Sequence, residues 1–217
     1  MSVSPAKSAP QPIVLEGHYV RLEPIAQRHA ADIFAVSTMA GGPERYRWLF
    51  STPPATLAEV EERIAQSQTH PDRYVAVVDR ASGRAVGQQA WMRIFPEHGS
   101  IEIGGVYWGL PMARTRLATE ALYLFARHAF DDLGYRRFEW KCNDRNAPSK
   151  TAATRFGFQY EGLFRQDRIV KGESRDTAWF SIIDSEWPAL RAEYERWLDP
   201  ANFDANGVQK SRLVMRG

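Results

Sequence analysis

One stretch of the sequence, residues 102–158, constrains the fold more than any other. Residues 137–142 alternate strictly between apolar and charged side chains, and a period of two predicts a β-strand. Before it, a strand that contains the pair Gly104-Gly105 leads through a turn into a long helix. After it, a run of cap-forming residues opens a second helix that ends at Gly157. The predicted order is therefore strand, helix, strand, helix, with the long helix packed on the sheet.

The start of the long helix carries two cations, Arg114 and Arg116. The first turn of a helix has unpaired N–H groups and a partial positive charge, so it attracts phosphate. A cation at that end lowers helix stability unless an anion binds there. The pattern is consistent with a phosphate site and also with two solvated arginines, and the helix end alone does not decide between them.

Four blocks of this region have a specific order and spacing. They are Ile101-Glu102-Ile103-Gly104, residues 114–121, Asn146-Ala147-Pro148-Ser149 and residues 155–162. Together they resemble the GCN5-related N-acetyltransferase (GNAT) family, most closely the branch similar to the ribosomal-protein N-terminal acetyltransferases. The resemblance spans residues 13–190. It implies an α+β fold with a mixed, mostly antiparallel, centrally splayed sheet flanked by helices, and acetyl-CoA as the acetyl donor.

The resemblance also implies a donor site. The expected acetyl-CoA-binding residues are Val106, Tyr107, Arg114, Thr115, Arg116, Leu117, Ala118, Thr119, Asn146, Ser149 and Arg155. The pair Gly104-Gly105 favours a bulge, and a splay beside it would leave backbone N–H groups free for an amide-containing arm or a developing oxyanion. The alternative is that the two glycines only relieve crowding against a helix.

Two positions depart from the family pattern. The family's pyrophosphate loop usually reads Gln/Arg-x-x-Gly-x-Gly/Ala, and this chain has Ala113, Arg116 and Ala118 there. Many members place a tyrosine that protonates the leaving thiolate where this chain has Ala153. We therefore expect another group or a water to supply that proton. Ser149 is the candidate, either as a hydrogen-bond donor to the thiolate or as a helix cap.

Glu102 is the expected general base. It lies on the strand face opposite Ile101 and Ile103, two residues before the glycine pair. An amine with a pKa near ~10 is mostly protonated at neutral pH and must lose a proton before it attacks a thioester. The alternative is a structural carboxylate paired with a neighbouring arginine. Glu120 and Glu161 are the next candidates for the base.

The expected function is N-acetyl transfer from acetyl-CoA to an amine by direct attack in a ternary complex. The acceptor is a small-molecule or peptide amine, and a homodimer is possible. A non-catalytic acyl-CoA-binding or sensing domain stays open, because the missing tyrosine and the altered loop permit it. An enzyme acylated at Cys142 is disfavoured, because Cys142 shares a strand face with Phe138 and Trp140 and a buried thiol is poorly activated.

Composition limits the other classes. A chain of 217 residues with 44% hydrophobic and 25% charged residues suits one globular domain. The formal charge of +2 is too small to indicate nucleic-acid binding. The single Cys142 excludes an intrachain disulfide framework and suits the cytoplasm. No apolar run is long enough to span a membrane, and no histidine or cysteine spacing predicts a metal site.

The domain organisation follows from composition and periodicity. Residues 1–12 are predicted to be a flexible arm, residues 13–199 a single acyl-CoA N-acyltransferase domain, and residues 200–217 a loosely held tail. Strands are predicted over residues 14–22, 74–78, 85–94, 100–108, 159–169 and 177–183, and helices over 26–36, 56–68, 116–131 and 187–198. An aromatic cluster between residues 46 and 50 belongs either to the core or to a substrate pocket.

Overall fold

An eight-stranded sheet organises residues 4–215, the part of the chain that the computed structural model describes. The strands are β1 Leu15–Glu16, β2 Val20–Pro24, β3 Arg73–Asp79, β4 Ala85–Phe95, β5 Ser100–Trp108, β6 Arg137–Asn143, β7 Gln159–Val170 and β8 Glu173–Ile183. The helices are α1 Ala30–Thr38, α2 Leu57–Ser67, α3 Arg116–Arg127, α4 Ala147–Arg155 and α5 Trp187–Leu198. The strand order is β1-β2-β3-β4-β5-β6-β8-β7. Only β5 and β6 pair in parallel within the described residues, so the predicted mixed, mostly antiparallel α+β class is confirmed.

Helices cover both faces of the sheet, because successive strand residues point to opposite sides. On one face, α3 and α5 bury Ile101, Ile103 and Phe138 in the main core. On the other face, α1 and α2 pack over Ala76 and Val78 in a smaller core. None of the described helices is long and apolar enough to cross a membrane.

The parallel contact between β5 and β6 is short. It consists of the pairs Ser100–Arg137, Ile101–Phe138 and Glu102–Glu139. Beyond these pairs β5 continues against β4, and β6 continues against β8. The two strands therefore separate in the middle of the sheet, which confirms the predicted splay.

A bulge in β5 accompanies the separation. Gly104 pairs with Ala90 and Tyr107 pairs with Gln88, so two residues of β5 lie opposite one residue of β4. Gly105, inside the bulge, has φ +57, and a Cβ built on it would lie 2.8 Å from the Tyr74 ring. Glycine is required at this position for both its backbone angle and its lack of a side chain.

The predicted first strand is divided in two by a turn that a buried carboxylate holds. Glu120 of α3 accepts hydrogen bonds from the backbone N–H groups of His18, Tyr19 and Val20 at 2.7, 2.6 and 2.7 Å. A Cβ at Gly17 would lie 2.4 Å from the carboxyl carbon of Glu120. Since both carboxylate oxygens are occupied by this turn, Glu120 has a structural role, and the expectation that it is a reserve base is wrong.

Other boundaries differ by a few residues for local reasons. The connection between the predicted strands 159–169 and 177–183 shrinks to Lys171 and Gly172, both with positive φ, because β7 extends through Val170 and β8 begins at Glu173. The α-helical part of α3 ends at Arg127, and the chain continues as a π-helical turn, His128–Asp132. The first predicted helix begins with a 3-10 turn, Gln27–His29.

Both terminal segments contact the domain. The N–H groups of Ala6 and Lys7 donate to the carbonyls of Pro96 and Leu133 at 2.9 and 2.8 Å. After α5, Phe203 is buried in the main core. The flexibility expected of these segments stays a prediction, and residues 1–3 of the predicted arm and 216–217 of the predicted tail lie outside the described residues.

Replacing Glu120 by Gln is expected to lower the free energy of unfolding by about 1–3 kcal/mol. The reason is that one amide oxygen must then serve three N–H groups that share two carboxylate oxygens. Urea unfolding followed by circular dichroism measures the change. Glu61→Gln, an exposed carboxylate on α2, is the matched control and should change stability by less than about 0.5 kcal/mol. Wild-type stability in Glu120→Gln would show that the turn does not depend on the carboxylate.

Candidate active site

Glu102 lies in the centre of the sheet, on the face opposite α3. It is the last residue of β5 that pairs with β6, and its side chain is only 2% exposed. Lys141 Nζ lies 2.8 Å from Glu102 Oε2, and Arg93 Nε lies 3.8 Å from the same oxygen. Burial raises the pKa of Glu102 to about 7, against the opposing effect of Lys141. A carboxyl group with this pKa exchanges a proton near neutral pH, as a general base must.

Arginines hold the neighbouring carboxylates of this face. Glu139 accepts from Arg93 Nε at 3.2 Å and from Arg137 Nε at 2.7 Å. Glu161 accepts from Arg137 Nη1 at 2.6 Å and from Ser181 Oγ at 2.8 Å. The Arg137 guanidinium therefore holds the pKa of Glu161 below its usual range. A paired carboxylate with a lowered pKa is a weaker base, so Glu161 is a poor alternative for that role.

The aromatic cluster before α2 divides between core and surface. Tyr46 is buried, and its ring centroid lies 4.6 Å from that of Tyr107. Phe50 is 55% exposed, and its ring centroid lies 4.8 Å from Cζ of Arg175 on β8. Lys171 Nζ, in the β7–β8 turn, donates to the Tyr46 carbonyl at 2.8 Å. The segment thus spans this face of the sheet, from β5 to the β7–β8 hairpin.

Thr115 caps the N-terminus of α3. Its Oγ1 accepts from the Leu117 N–H at 3.2 Å and donates to the Met112 carbonyl at 2.7 Å. The same turn contains Arg116, Ala118 and Thr119. Backbone N–H groups at this end of a helix have no intrahelical partner and bind anions.

Two cations beside this helix end have no carboxylate partner. Arg114 precedes α3 in the left-handed backbone region, with φ +62, and strained residues of this kind concentrate at ligand sites. Burial lowers the pKa of Arg45, and the charge of Arg114 lowers it further. Arg45 Nε is buried without a hydrogen-bond partner, and among residues 4–215 neither arginine pairs with a carboxylate. These features fit a phosphate group.

Arg116 and Arg155 make other contacts near α3. The guanidinium carbon of Arg116 lies 4.1 Å from the ring centroid of Tyr19 and 5.0 Å from that of Phe203, which gives Arg116 a cation–π role toward the segment after α5. Arg155 Nη1 donates to Thr119 Oγ1 at 3.1 Å and so joins the end of α4 to the first turn of α3.

The start of α4 separates two expected roles. Asn146 is the cap, because its Oδ1 accepts from the Ser149 N–H at 3.2 Å, and the alternative role of Ser149 as the cap is wrong. Ser149 Oγ accepts from Trp140 Nε1 at 3.1 Å. A hydroxyl that accepts one hydrogen bond still has its own proton to donate. Ala153, at the position of the family's tyrosine, is fully buried.

The gap between the separating strands is lined by aromatic and aliphatic side chains. Trp108 of β5 and Trp140 of β6 have ring centroids 6.2 Å apart, and Val106 packs against the same core. Tyr107 points to the other face, where its hydroxyl donates to the Val36 carbonyl at 2.8 Å. Only the backbone of Tyr107, and not its side chain, is therefore available to a ligand in the gap.

The predicted residues thus form two groups, one at the start of α3 and one at the start of α4, and Glu102 lies on the far side of the gap. Sequence reasoning missed Lys141, Arg93 and Arg175. Lys141 had a usable signal, since it shares the charged face of β6 with the residue that pairs with Glu102. Arg175 had no such signal, because residue 175 falls in the connection between the predicted strands 159–169 and 177–183.

Comparisons with known proteins identify the family. A family model described as an acetyltransferase (GNAT) domain matches residues 20–159, more than half of the 217 residues. The chain belongs to the GNAT family. The crystal structure of a GNAT protein from Brucella melitensis is 51% identical, covers 97% of this chain and 96% of its own, and gives a TM-score of 0.94.

More distant relatives also have names that describe acetyltransferases. The "Uncharacterized N-acetyltransferase p20" of Bacillus licheniformis is 25% identical over 154 residues, which are 67% of this chain and 83% of that protein. An acetyltransferase from Salmonella typhimurium that modifies the N-terminal serine of a 50S ribosomal subunit protein is 16% identical, with a TM-score of 0.68 over 79% of this chain and 99% of its own. At that identity the likeness shows the fold alone.

Replacing both Arg114 and Arg116 by Ala is expected to weaken CoA binding by about 1–3 kcal/mol, the range for charge-assisted hydrogen bonds. Titration calorimetry with CoA measures the change. The two single variants show how much of this change each arginine contributes, since Arg114 has no carboxylate partner among residues 4–215 and Arg116 lies over aromatic rings. Arg165→Ala, an exposed arginine on β7, is the control. Unchanged CoA affinity in the double variant would remove this helix end from the donor site.

Proposed function

We propose that this GNAT protein is an N-acetyltransferase that moves an acetyl group from acetyl-CoA to an amine by direct attack in a ternary complex. The observation that carries the proposal is the buried Glu102 at the end of the β5–β6 pairing. A proton acceptor at that point lies beside the gap that suits a thioester arm. Transfer to an amine needs such an acceptor, because an amine with a pKa of ~10 arrives mostly protonated.

The donor is held, in this proposal, by both groups of residues described above. The pyrophosphate is bound by the loop and first turn of α3, namely Arg114, Thr115, Arg116, Leu117, Ala118 and Thr119. The amide-containing arm lies in the gap, against the β5 backbone at Val106 and Tyr107 and the start of α4 at Asn146 and Ser149. Arg155 keeps α4 beside α3. When bound, acetyl-CoA supplies the activated acetyl group.

Glu102 removes the proton from the acceptor amine. Its pKa of about 7 means that a large fraction is ionised at neutral pH and able to take up a proton. Lys141 is essential to this balance, because burial alone favours the protonated form and the ammonium 2.8 Å away favours the ionised form. Glu102 and Lys141 therefore act as a unit.

Ser149 assists the leaving thiolate. Because Ser149 Oγ accepts from the Trp140 indole N–H, its own proton is directed to another acceptor. The same hydroxyl lowers the pKa of Cys142, although burial raises that pKa by more. Ser149 is therefore our candidate donor to the thiolate of CoA, in place of the missing tyrosine at Ala153.

The proposal is tested by incubating the protein with acetyl-CoA and a panel of amines while free thiol is followed. Amine-dependent release of thiol supports an enzyme. CoA binding without release by any amine would favour an acyl-CoA-binding or sensing domain. We place the activity in the cytoplasm, since the one cysteine is a free, buried thiol.

Glu102→Gln keeps the shape of the side chain but removes its ability to accept a proton. Turnover is expected to fall about 10²–10⁴-fold, the usual contribution of general base catalysis. Since the pKa of Glu102 is raised to about 7, wild-type turnover should fall as the pH decreases below about 7. Glu102→Gln should lack this acidic limb, and higher pH should partly rescue it by deprotonating the amine.

Lys141→Met is the matched variant for the same profile. Lys141 lowers the pKa of Glu102, so its removal should move the acidic limb to higher pH without abolishing turnover there. CoA affinity, measured by calorimetry, should be unchanged in both variants. Wild-type turnover with the same acidic limb in Glu102→Gln would make Glu102 structural and assign the base to a water chain or another acid.

Cys142→Ala is expected to retain most of the wild-type turnover, because direct attack needs no nucleophile from the enzyme. Steady-state rates with acetyl-CoA and the best amine of the panel measure this. Intact-protein mass spectrometry after incubation with acetyl-CoA is the complementary observation. An acetyl group on Cys142, together with an inactive variant, would replace direct attack by a ping-pong route.

A further inference from the structure

Arg175 is the one buried arginine within residues 4–215, with 5% of its surface exposed. Its Nε donates to Thr177 Oγ1 at 3.2 Å, and its face is covered by Phe50. No carboxylate of residues 4–215 lies within 4.0 Å of its guanidinium nitrogens. A buried cation without a counter-ion costs free energy, and a ligand anion removes that cost.

Asp167 is the carboxylate whose charge acts most on Arg175, but its side chain is bound by other groups. Thr177 Oγ1 donates to Asp167 Oδ2 at 2.8 Å, and Arg168 Nε lies 3.7 Å from the same oxygen. Thr177 thus lies between Arg175 and Asp167. Its hydroxyl accepts a hydrogen bond only from Nε of the Arg175 guanidinium. The paired Nη groups are the ones that bind a carboxylate or phosphate in bidentate geometry.

Arg175 lies on the same face of the sheet as Glu102. Lys141, whose Nζ lies 2.8 Å from Glu102 Oε2, pairs with Trp179 of β8. Arg175 shares the face of Trp179, because alternate strand residues point to one side and Arg175 Nε contacts Thr177 Oγ1. An anion on Arg175 would therefore belong to a molecule that lies on the same face as the proton acceptor.

The remaining charges on this face do not suit a polycation. Four carboxylates there already have a Lys or Arg partner: Glu102 with Lys141, Glu139 with Arg93 and Arg137, Glu161 with Arg137, and Asp167 with Arg168. Polyamines and aminoglycosides carry several ammonium groups, which would need carboxylates free of such partners. The spare groups are donors instead, since Trp179 Nε1 is also buried without a partner.

The cover over this face favours a small molecule. Lys171 Nζ bonds the Tyr46 carbonyl at 2.8 Å, so the β7–β8 turn and the segment before α2 are joined above the sheet. Phe50 covers Arg175 from the same segment. A bridge of this kind limits how far the two segments can separate, which favours a small acceptor over a protein terminus.

We propose that the acceptor is a small amine that also carries a carboxylate or phosphate, with the anionic group bound by Arg175 and the amine directed to Glu102. This inference rests on the proposed function. The amine nitrogen forms a bond with the acetyl carbon, the carbon–sulfur bond breaks, and the electron pair leaves with sulfur. The proton lost by the amine goes to Glu102, and the thiolate takes the proton of the Ser149 hydroxyl. Ser149 then recovers a proton from water, and Glu102 releases its own to water.

The test compares acceptors that differ only in the anion. The wild-type protein is assayed with free amino acids and their primary amides, and with phosphoethanolamine and ethanolamine. Spermidine, kanamycin and a peptide amide represent the other acceptor classes. We expect a carboxylate or phosphate amine to give the highest kcat/KM, and the better of these two arms identifies the anion.

Arg175→Met separates recognition of the anion from the intrinsic reactivity of each amine. The ratio of kcat/KM for the anionic amine over its neutral partner should fall about 10–100-fold relative to wild type, since a hydrogen bond to a charged group corresponds to roughly this factor. The affinity for CoA should be unchanged, and the ratio corrects for any general change in rate that the neutral partner also shows. Arg168→Met, an exposed cation that also lies beside Phe50, should leave the ratio unchanged.

Each outcome decides the inference. An unchanged ratio in Arg175→Met, or a polyamine, aminoglycoside or peptide amide as the best wild-type acceptor, overturns it and leaves the proposed acetyl transfer intact. Thiol release by no amine at all overturns the proposed function and this inference together. If Arg175→Met fails to fold, Arg175→Lys, with a partial loss of the ratio, and the wild-type acceptor order decide the question.

Discussion

β5 and β6 are parallel neighbours that pair over only three residues before they separate, and most of the site follows from that separation. The bulge at Gly105 lets β5 keep its pairing with β4 while its backbone turns away from β6. The separated edges carry N–H and C=O groups that a closed sheet would have used in its own ladder. A ligand with amide groups is a natural partner for them. Any side chain at position 105 would meet Tyr74, so the bulge depends on glycine.

The separation also explains why Glu102 is unusual. As the last paired residue of β5, it lies deep in the sheet and next to the gap, where burial favours its protonated form. Lys141, further along β6, supplies the counter-charge at 2.8 Å. Replacement of such a pair by apolar residues is often neutral or stabilising, so the pair is better explained by proton transfer than by stability. The buried carboxylate of Glu120 has a structural role instead, since its two oxygens accept hydrogen bonds from three backbone N–H groups of one turn.

The sequence predicted those parts of the molecule whose signals are local. Alternation in β6 and the glycine pair in β5 each need only a few adjacent residues, and each has the expected structure. Sequence reasoning failed where a role depends on contacts between distant segments. The N–H groups that Glu120 binds and the ring that covers Arg175 come from residues far away in the chain. Ser149 shows the limit within one motif, because Asn146 and Ser149 are both good caps and only the backbone geometry distinguishes them.

Three cations without a carboxylate partner among residues 4–215 lie toward the two ends of the proposed reaction path. Arg114 precedes α3 and its charge acts on Arg45, whereas Arg175 lies on the same face of the sheet as Glu102. The formal charge of the chain is only +2, so this arrangement reflects local placement and not an excess of basic residues. Between the two ends, Glu102 and Lys141 neutralise each other. Two anionic molecules would therefore each meet a cation at its outer end and a nearly neutral centre where the amine and the thioester react. In such a centre the proton that leaves the amine is the main charge that moves, and a carboxyl group with a pKa of about 7 is suited to take it.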